Sequence, residues 1–101
     1  MGIETQLKEN GSILAINISG RFDFNRLTEF RQSYSDTDST PSQYIIDMKN
    51  ASTIDSSALG MLLNMQRTLE KEDGEIKIIN CNTDIRKIFQ ISRFDIIFEI
   101  S

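Results

Sequence analysis

The chain has 101 residues, a formal net charge of −4 and no histidine. Its 11 lysines and arginines are scattered along the sequence, so the clustered positive charge that nucleic-acid binding requires is missing. Without histidine the chain lacks the commonest general base and the imidazole ligands of most zinc sites. Its acidic side chains are dispersed and no glycine-rich phosphate loop is present. We therefore expect no enzyme activity, no cofactor, no metal site and no nucleic-acid partner.

The N-terminal segment and the hydropathy of the chain bear on its location. The first ten residues, "MGIETQLKEN", lack the apolar core of a signal peptide. No stretch approaches the run of about 18 apolar residues that would cross a membrane. These features predict a cytoplasmic protein without direct membrane insertion.

The single cysteine, Cys81, follows the apolar run Glu75–Ile79 and is predicted to be a small buried residue.

The first part of the chain has the pattern of a β-hairpin. Ser12–Gly20 alternates apolar and polar residues, which predicts a strand with one apolar face. Ile3–Glu9 is a weaker strand candidate, and Asn10-Gly11 between the two segments is typical of a two-residue hairpin turn.

A helix is predicted next, over Asp23–Ser35, with Asp23 or Asn25 able to cap its start. Its apolar residues recur at helical spacing and predict one buried stripe: Phe24, Leu27, Phe30 and Tyr34. The polar segment Ser35–Ser42, with the only proline, is predicted to be a solvated loop.

Strands and helices alternate in the rest of the chain. The predicted strands are Gln43–Lys49, Glu75–Asn80 and Asp95–Ile100. The predicted helices are Ser56–Lys71, closed by Asp73-Gly74, and Thr83–Ile91. An opening hairpin followed by β-α units indicates an α/β domain with a mixed sheet.

The stretch "TIDSSALGMLLNMQ", from Thr53 to Gln66, opens the longest predicted helix with an aspartate and two serines. One apolar stripe of this helix is predicted to face the sheet: Ala58, Leu62, Met65 and Leu69. At about 100° per residue, Ser56 lies far from that stripe and points outward, whereas Ser57 sits nearer its margin. Asp55 immediately precedes the first turn.

Two compatible roles follow for these hydroxyl and carboxyl groups. Asp or Ser at a helix start accepts a hydrogen bond from an unpaired backbone N–H and stabilises the helix by about 1 kcal/mol. An exposed serine at a helix N-terminus can also carry a phosphate that the helix dipole partly neutralises.

The outer face of the same helix has features of a partner surface. Gly60 lies in the second turn, where glycine costs about 1 kcal/mol relative to alanine, and a close backbone approach by another element is the usual compensation. Leu63 lies on the polar face, beside Ser56. Alternatively, Leu63 and Leu59 pack against a neighbouring helix of the same domain.

The segment "YIIDMKNASTIDSSALGMLLNMQRTL" resembles the central motif of the STAS domain, the fold of bacterial anti-sigma factor antagonists of the SpoIIAA and RsbV type. "ISGRFDFNRL" is similar to the family's Gly-Glu-Leu-Asp loop, and "IKIINCNTDIRKIFQISRFDIIFEI" to its C-terminal part. The resemblance implies that residues 1–101 form one STAS domain, α/β, with a mixed four- to five-stranded sheet and helices packed mainly on one side.

The resemblance also implies a partner switch. Ser56 takes the place of the phosphoacceptor, with Ser57 as the secondary candidate, and Asp23 and Asp55 form its surroundings. The implied partner surface consists of Gly60, Met61, Leu63 and Asn64. One implied partner is a GHKL-type serine kinase that is often itself the anti-sigma factor; the unphosphorylated protein binds it, and phosphorylation of Ser56 releases it. The other implied partner is a PP2C-type serine phosphatase.

Three positions depart from the family pattern. Ala58 replaces the commoner glycine, and Arg21 and Phe22 stand where Glu and Leu are usual, which reverses one charge near the predicted site.

Two alternative functions remain open. One is a STAS subunit that regulates a membrane transporter or lipid-transport complex, and the other is a partner switch with a non-sigma output such as biofilm formation or motility.

Overall fold

The computed structural model describes residues 2–35, 41–70 and 74–101. Its strands are β1 Ile3–Lys8, β2 Ile13–Phe22, β3 Gln43–Ile54, β4 Glu75–Ile79 and β5 Glu99–Ile100. Its α-helices are α1 Leu27–Ser35, α2 Ser56–Glu70, α3 Thr83–Ile91 and α4 Phe94–Ile97. Within the described ranges, no helix has the length and apolar character needed to cross a membrane.

The five strands form one mixed sheet in the order β1-β2-β3-β4-β5. β1 runs antiparallel to β2, and the other three pairings are parallel. β3 continues five residues past the predicted end at Lys49, because it stays paired with β2 through two irregular steps as far as Phe22 opposite Ile54. The predicted α/β fold with a mixed sheet is confirmed.

The core lies between one face of the sheet and the helices. Alternate residues of β2 and β3 are buried on this face: Leu14, Ile16, Ile18, Tyr44, Ile46 and Met48. The predicted apolar stripe of α2 meets them and is buried throughout. Most residues of the opposite parity, such as Asn17, Ile45 and Asp47, remain partly exposed, although Ala15 is buried. The alternation of apolar and polar residues in β2 and β3 therefore reflects a sheet with one mainly buried face.

The predicted two-residue hairpin turn is wrong. Lys8 pairs with Ile13, and the connection between them is a 3-10 turn over Glu9–Gly11 followed by Ser12. Glu9, Asn10 and Gly11 all have positive φ. The Ser12 N–H and hydroxyl both donate to the Glu9 carbonyl, at 3.2 and 2.8 Å, and these bonds close the longer turn.

The predicted final strand is wrong over its first four residues. Residues 95–97 belong to α4, Phe98 is the C-cap of that helix, and only Glu99 and Ile100 pair with β4. The Phe98 N–H donates to the Phe94 carbonyl at 2.8 Å, and the two buried rings lie 5.6 Å apart. One helical turn thus brings both phenylalanine rings into the core side by side. An extended chain would hold these two rings much farther apart.

The other predicted elements agree closely with the structure. α3 has the predicted bounds, and α2 begins at the predicted Ser56. The predicted helix stop at Asp73 lies outside the described residues. Cys81 is half-buried rather than buried. Burial raises the pKa of its thiol, although Arg86 acts in the opposite direction.

Replacing Phe30 is expected to destabilise the fold strongly. Its side chain is fully buried and contacts Phe22 and Tyr34, with ring centroids 5.1 and 5.6 Å away. Phe30→Ala should lower the free energy of unfolding by about 3–5 kcal/mol in a urea titration. The matched control is Phe24→Ala, at a ring that is 66% exposed, with an expected change below about 0.5 kcal/mol. Similar losses for both variants would contradict the described core.

Candidate functional site

The site is built where two parallel strands end side by side. β2 and β3 finish with the pair Phe22 and Ile54, and the next residue of each chain segment is an aspartate, Asp23 or Asp55. Because neighbouring strands lie about 4.8 Å apart, the two carboxylates emerge close together at this edge. Ser56 follows directly. The two residues predicted to surround Ser56 thus share its edge of the sheet.

Each of these aspartates caps a helical turn. The Asp23 Oδ1 atom accepts a hydrogen bond from the Asn25 N–H at 3.0 Å. The Asp55 Oδ1 atom accepts one from the Ala58 N–H at 3.1 Å, and the Asp55 carbonyl accepts from Ala58 and Leu59. Asp55 is therefore the N-cap of α2, which leaves Ser56 as the first residue of the helix.

The two serines differ in accessibility. Ser56 is exposed, and its hydroxyl makes no hydrogen bond to any residue in the described ranges. Ser57 is half-buried and lies at the end of a groove between α1 and α2. Ser56 is thus the serine that an external enzyme could reach without disturbing the capping interactions.

The groove has a volume of about 470 Å³ and is walled by the α1 region and α2. The first wall consists of Phe24, Leu27, Phe30, Arg31 and Tyr34. The second consists of Ser57, Gly60, Met61, Leu63, Asn64 and Arg67. All four residues of the predicted partner surface therefore line one continuous depression that begins beside Ser57.

These four residues contribute to the groove in different ways. Met61 is only 6% exposed, so it chiefly serves the core and forms the groove floor. Leu63 is half-buried and packs against the core, whereas Asn64 is exposed. A Cβ atom added to Gly60 would meet no atom within 4 Å among the described residues. No element of the described chain makes the expected close approach at Gly60, so this part of the helix surface stays open.

Tyr34 and Asn64 line opposite walls of the groove. Burial raises the pKa of the Tyr34 phenol, while Asn64 and Arg31 act to lower it.

Three groove residues were not predicted to be part of the partner surface. Phe24 was predicted to be buried with Phe30, but it lies in the 3-10 turn Phe24–Arg26 before α1, and the change of helical phase leaves it exposed. Arg67 shares the helical face of Gly60 and Asn64, a spacing that could have revealed it. Arg31 has no such signal, because only the packing of α1 beside α2 brings it to the groove.

The described residues contain no cluster of three or more acidic or cysteine side chains placed to hold a metal ion. Asp23 and Asp55 are each engaged by a backbone N–H. The site can therefore present a hydroxyl, two carboxylates and an apolar groove with two arginines, a set suited to protein recognition and modification.

The cap assignment leads to a stability prediction. Asp55→Ala should lower the free energy of unfolding by about 1 kcal/mol, because the Ala58 N–H loses its acceptor. Asp55→Asn should retain most of the stability, since asparagine caps helices equally well. Ser56→Ala should have almost no effect in the same urea titration. A loss in Ser56→Ala equal to that in Asp55→Ala would show that Ser56, not Asp55, is the cap.

Comparisons with known proteins identify the family of the chain. The STAS domain family model matches residues 4–101. The chain is 42% identical over 101 residues to a STAS-domain containing protein of Pseudomonas aeruginosa, with 100% of both chains covered. It is 25% identical over 101 residues to the anti-sigma-B factor antagonist of Bacillus subtilis, covering 100% of this chain and 93% of that protein.

A solved structure shares the fold. The anti-sigma factor antagonist SpoIIAA in its unphosphorylated form superposes with a TM-score of 0.75 at 20% identity, covering 99% of this chain and 87% of that chain. On the family match and the close relative, the chain belongs to the STAS domain family.

Proposed function

We propose that the protein is a phosphorylation-controlled partner switch of the anti-sigma factor antagonist kind, acting by binding rather than catalysis. The unphosphorylated form binds a serine kinase that is itself the anti-sigma factor, and phosphorylation of Ser56 releases this partner. The observation that carries the proposal is the exposed Ser56 hydroxyl at the start of α2, which makes no hydrogen bond to the described residues and lies beside a groove.

The local structure is compatible with a phosphate on Ser56. Asp55 already caps α2, so modification of Ser56 breaks no described hydrogen bond. The first-turn N–H groups and the positive end of the helix dipole favour an added anion. The switch therefore needs no refolding of α2.

The charge that a phosphate adds explains how release would occur. A phosphoserine contributes about −1.5 to −2 charges at neutral pH. Asp23 and Asp55 stand at the same strand edge, and Ser57 begins the groove. The modified edge would be strongly negative at the mouth of the partner surface, and a partner whose facing surface is negative or desolvated there would be repelled.

The names of the relatives support the proposed partners. The Bacillus subtilis relative, which matches this chain over its whole length, is named an anti-sigma-B factor antagonist, and SpoIIAA has the same fold as this chain. We infer a GHKL-type serine kinase as the binding partner and a PP2C-type phosphatase as the enzyme that restores the unmodified form. Control of a non-sigma output would use the same Ser56 chemistry, whereas a subunit of a transporter complex need not be modified.

Ser56 is expected to carry the phosphate in cells. Protein isolated from cells that lack the cognate phosphatase should contain a species heavier by one phosphate group in intact-mass spectra. Ser56→Ala should abolish this species, and the matched Ser57→Ala variant should retain it. A phosphorylated species that persists in Ser56→Ala and disappears in Ser57→Ala would overturn the assignment.

Leu63 is expected to contribute to partner binding. Leu63→Glu places a charge in the groove and should weaken capture of the partner kinase by about tenfold or more, a loss of about 1.4 kcal/mol. Gln66→Glu is the matched control, because it adds the same charge to α2 outside the groove.

Binding can be compared with immobilised Ser56→Ala as the reference bait and Ser56→Asp as the mimic of the modified form. Unfolding curves of the Leu63 and Gln66 variants separate binding from stability. Full binding by a folded Leu63→Glu protein would exclude the groove as the partner surface.

A further inference from the structure

The groove between α1 and α2 carries positive charge in an acidic protein. The charged residues that line it are Arg31 and Arg67, one on each wall, and both are exposed. The ion pairs present in the described ranges are Arg26 with Glu29 and Lys77 with Glu99, so neither groove arginine is paired there. Against a net charge of −4, these two arginines, which have no ion-pair partner in the described ranges, give the depression a local positive charge that would attract carboxylates.

The same groove offers apolar contacts. Phe24 is 66% exposed at one end, and Leu27 and Leu63 are half-buried on opposite walls. An aromatic ring this exposed is a common anchor for a binding partner. Gly60 adds open space on the α2 wall, where a partner backbone can come close without meeting a side chain.

We propose that this groove binds an acidic amphipathic helix of the partner protein. The apolar side of that helix would pack on Phe24, Leu27 and Leu63, and its carboxylates would pair with Arg31 and Arg67. Helices that dock in grooves place apolar anchors at spacings of three and four residues, and flanking charges set their orientation. The inference rests on the proposed function, because it names the chemistry of the partner that the switch would control.

Charge also links the groove to Ser56. An acidic helix seated from Phe24 to Arg67 would pass the Ser57 end of the groove. A phosphate on the neighbouring Ser56 would repel its carboxylates, while the arginines attract them. Phosphorylation would then oppose the same electrostatic attraction that selects the partner.

Two synthetic helical peptides test the proposal with the full chain. Both carry the same leucine and phenylalanine stripe, one with glutamates on its flanks and the other with lysines. Fluorescence anisotropy should show the glutamate peptide binding at least about tenfold more tightly, a difference of about 1.4 kcal/mol. Because salt screens exposed charges, the difference should shrink at high ionic strength. Equal binding of the two peptides, or no binding of either, would overturn the proposal.

Charge-reversal variants locate the binding site. Arg31→Glu combined with Arg67→Glu should reverse the preference toward the lysine peptide. The control Lys87→Glu makes the same charge change as each of the two single substitutions, at an exposed position of α3 outside the groove, and should leave the preference intact. An unchanged preference in the double variant would overturn the proposal. So would a dimer of the unmodified protein that the double variant dissociates, because a second copy would then be the occupant.

The Ser56→Asp variant distinguishes failure of the groove proposal from failure of the switch proposal. Ser56→Asp should weaken binding of the glutamate peptide at least severalfold if both proposals hold. If the wild-type protein discriminates between the peptides but Ser56→Asp has no effect and no phosphorylated species is found in cells, the switch fails while the groove assignment stands. If Ser56 is phosphorylated in cells and the peptides bind equally, the groove assignment fails alone.

Discussion

The parallel pairing of β2 with β3, carried as far as Phe22 and Ile54, is the constraint on which the site depends. It brings two distant parts of the chain to one edge of the sheet and releases both there, each with an aspartate as its next residue. The 3-10 turn before α1 and the helix α2 therefore start from the same edge. Ser56 owes its position to this pairing rather than to any contact of its own side chain.

The groove follows from the same arrangement. Two helical segments that start at one edge and pack on one face of the sheet lie side by side, and α1 does contact α2. The buried faces of these segments form the core, and their shared outer margin forms the depression. The fold thus fixes the shape of the surface, whereas side chains such as Arg31, Leu63 and Arg67 give it its charge and apolar character.

Prediction from the sequence succeeded where a pattern was long or chemically specific. α2 shows several turns of helical spacing, and the aspartate before it has the chemistry of a cap, so both agree with the structure. α4 is a single turn, too short to show a period, and its isoleucines favour a strand reading. The groove joins residues far apart in the chain, and Phe24 changes phase in a 3-10 turn, so neither feature was accessible to local spacing.

The capping of α2 by Asp55 has a consequence for the lifetime of the protein. Under the proposed switch, modification of a hydroxyl that holds no helix end leaves the Asp55 cap of α2 in place. Proteases act mainly on transiently unfolded chains, so retention of the cap would help to protect both forms from degradation. If Ser56 is modified as proposed, the state of the protein could then change without loss of folded protein.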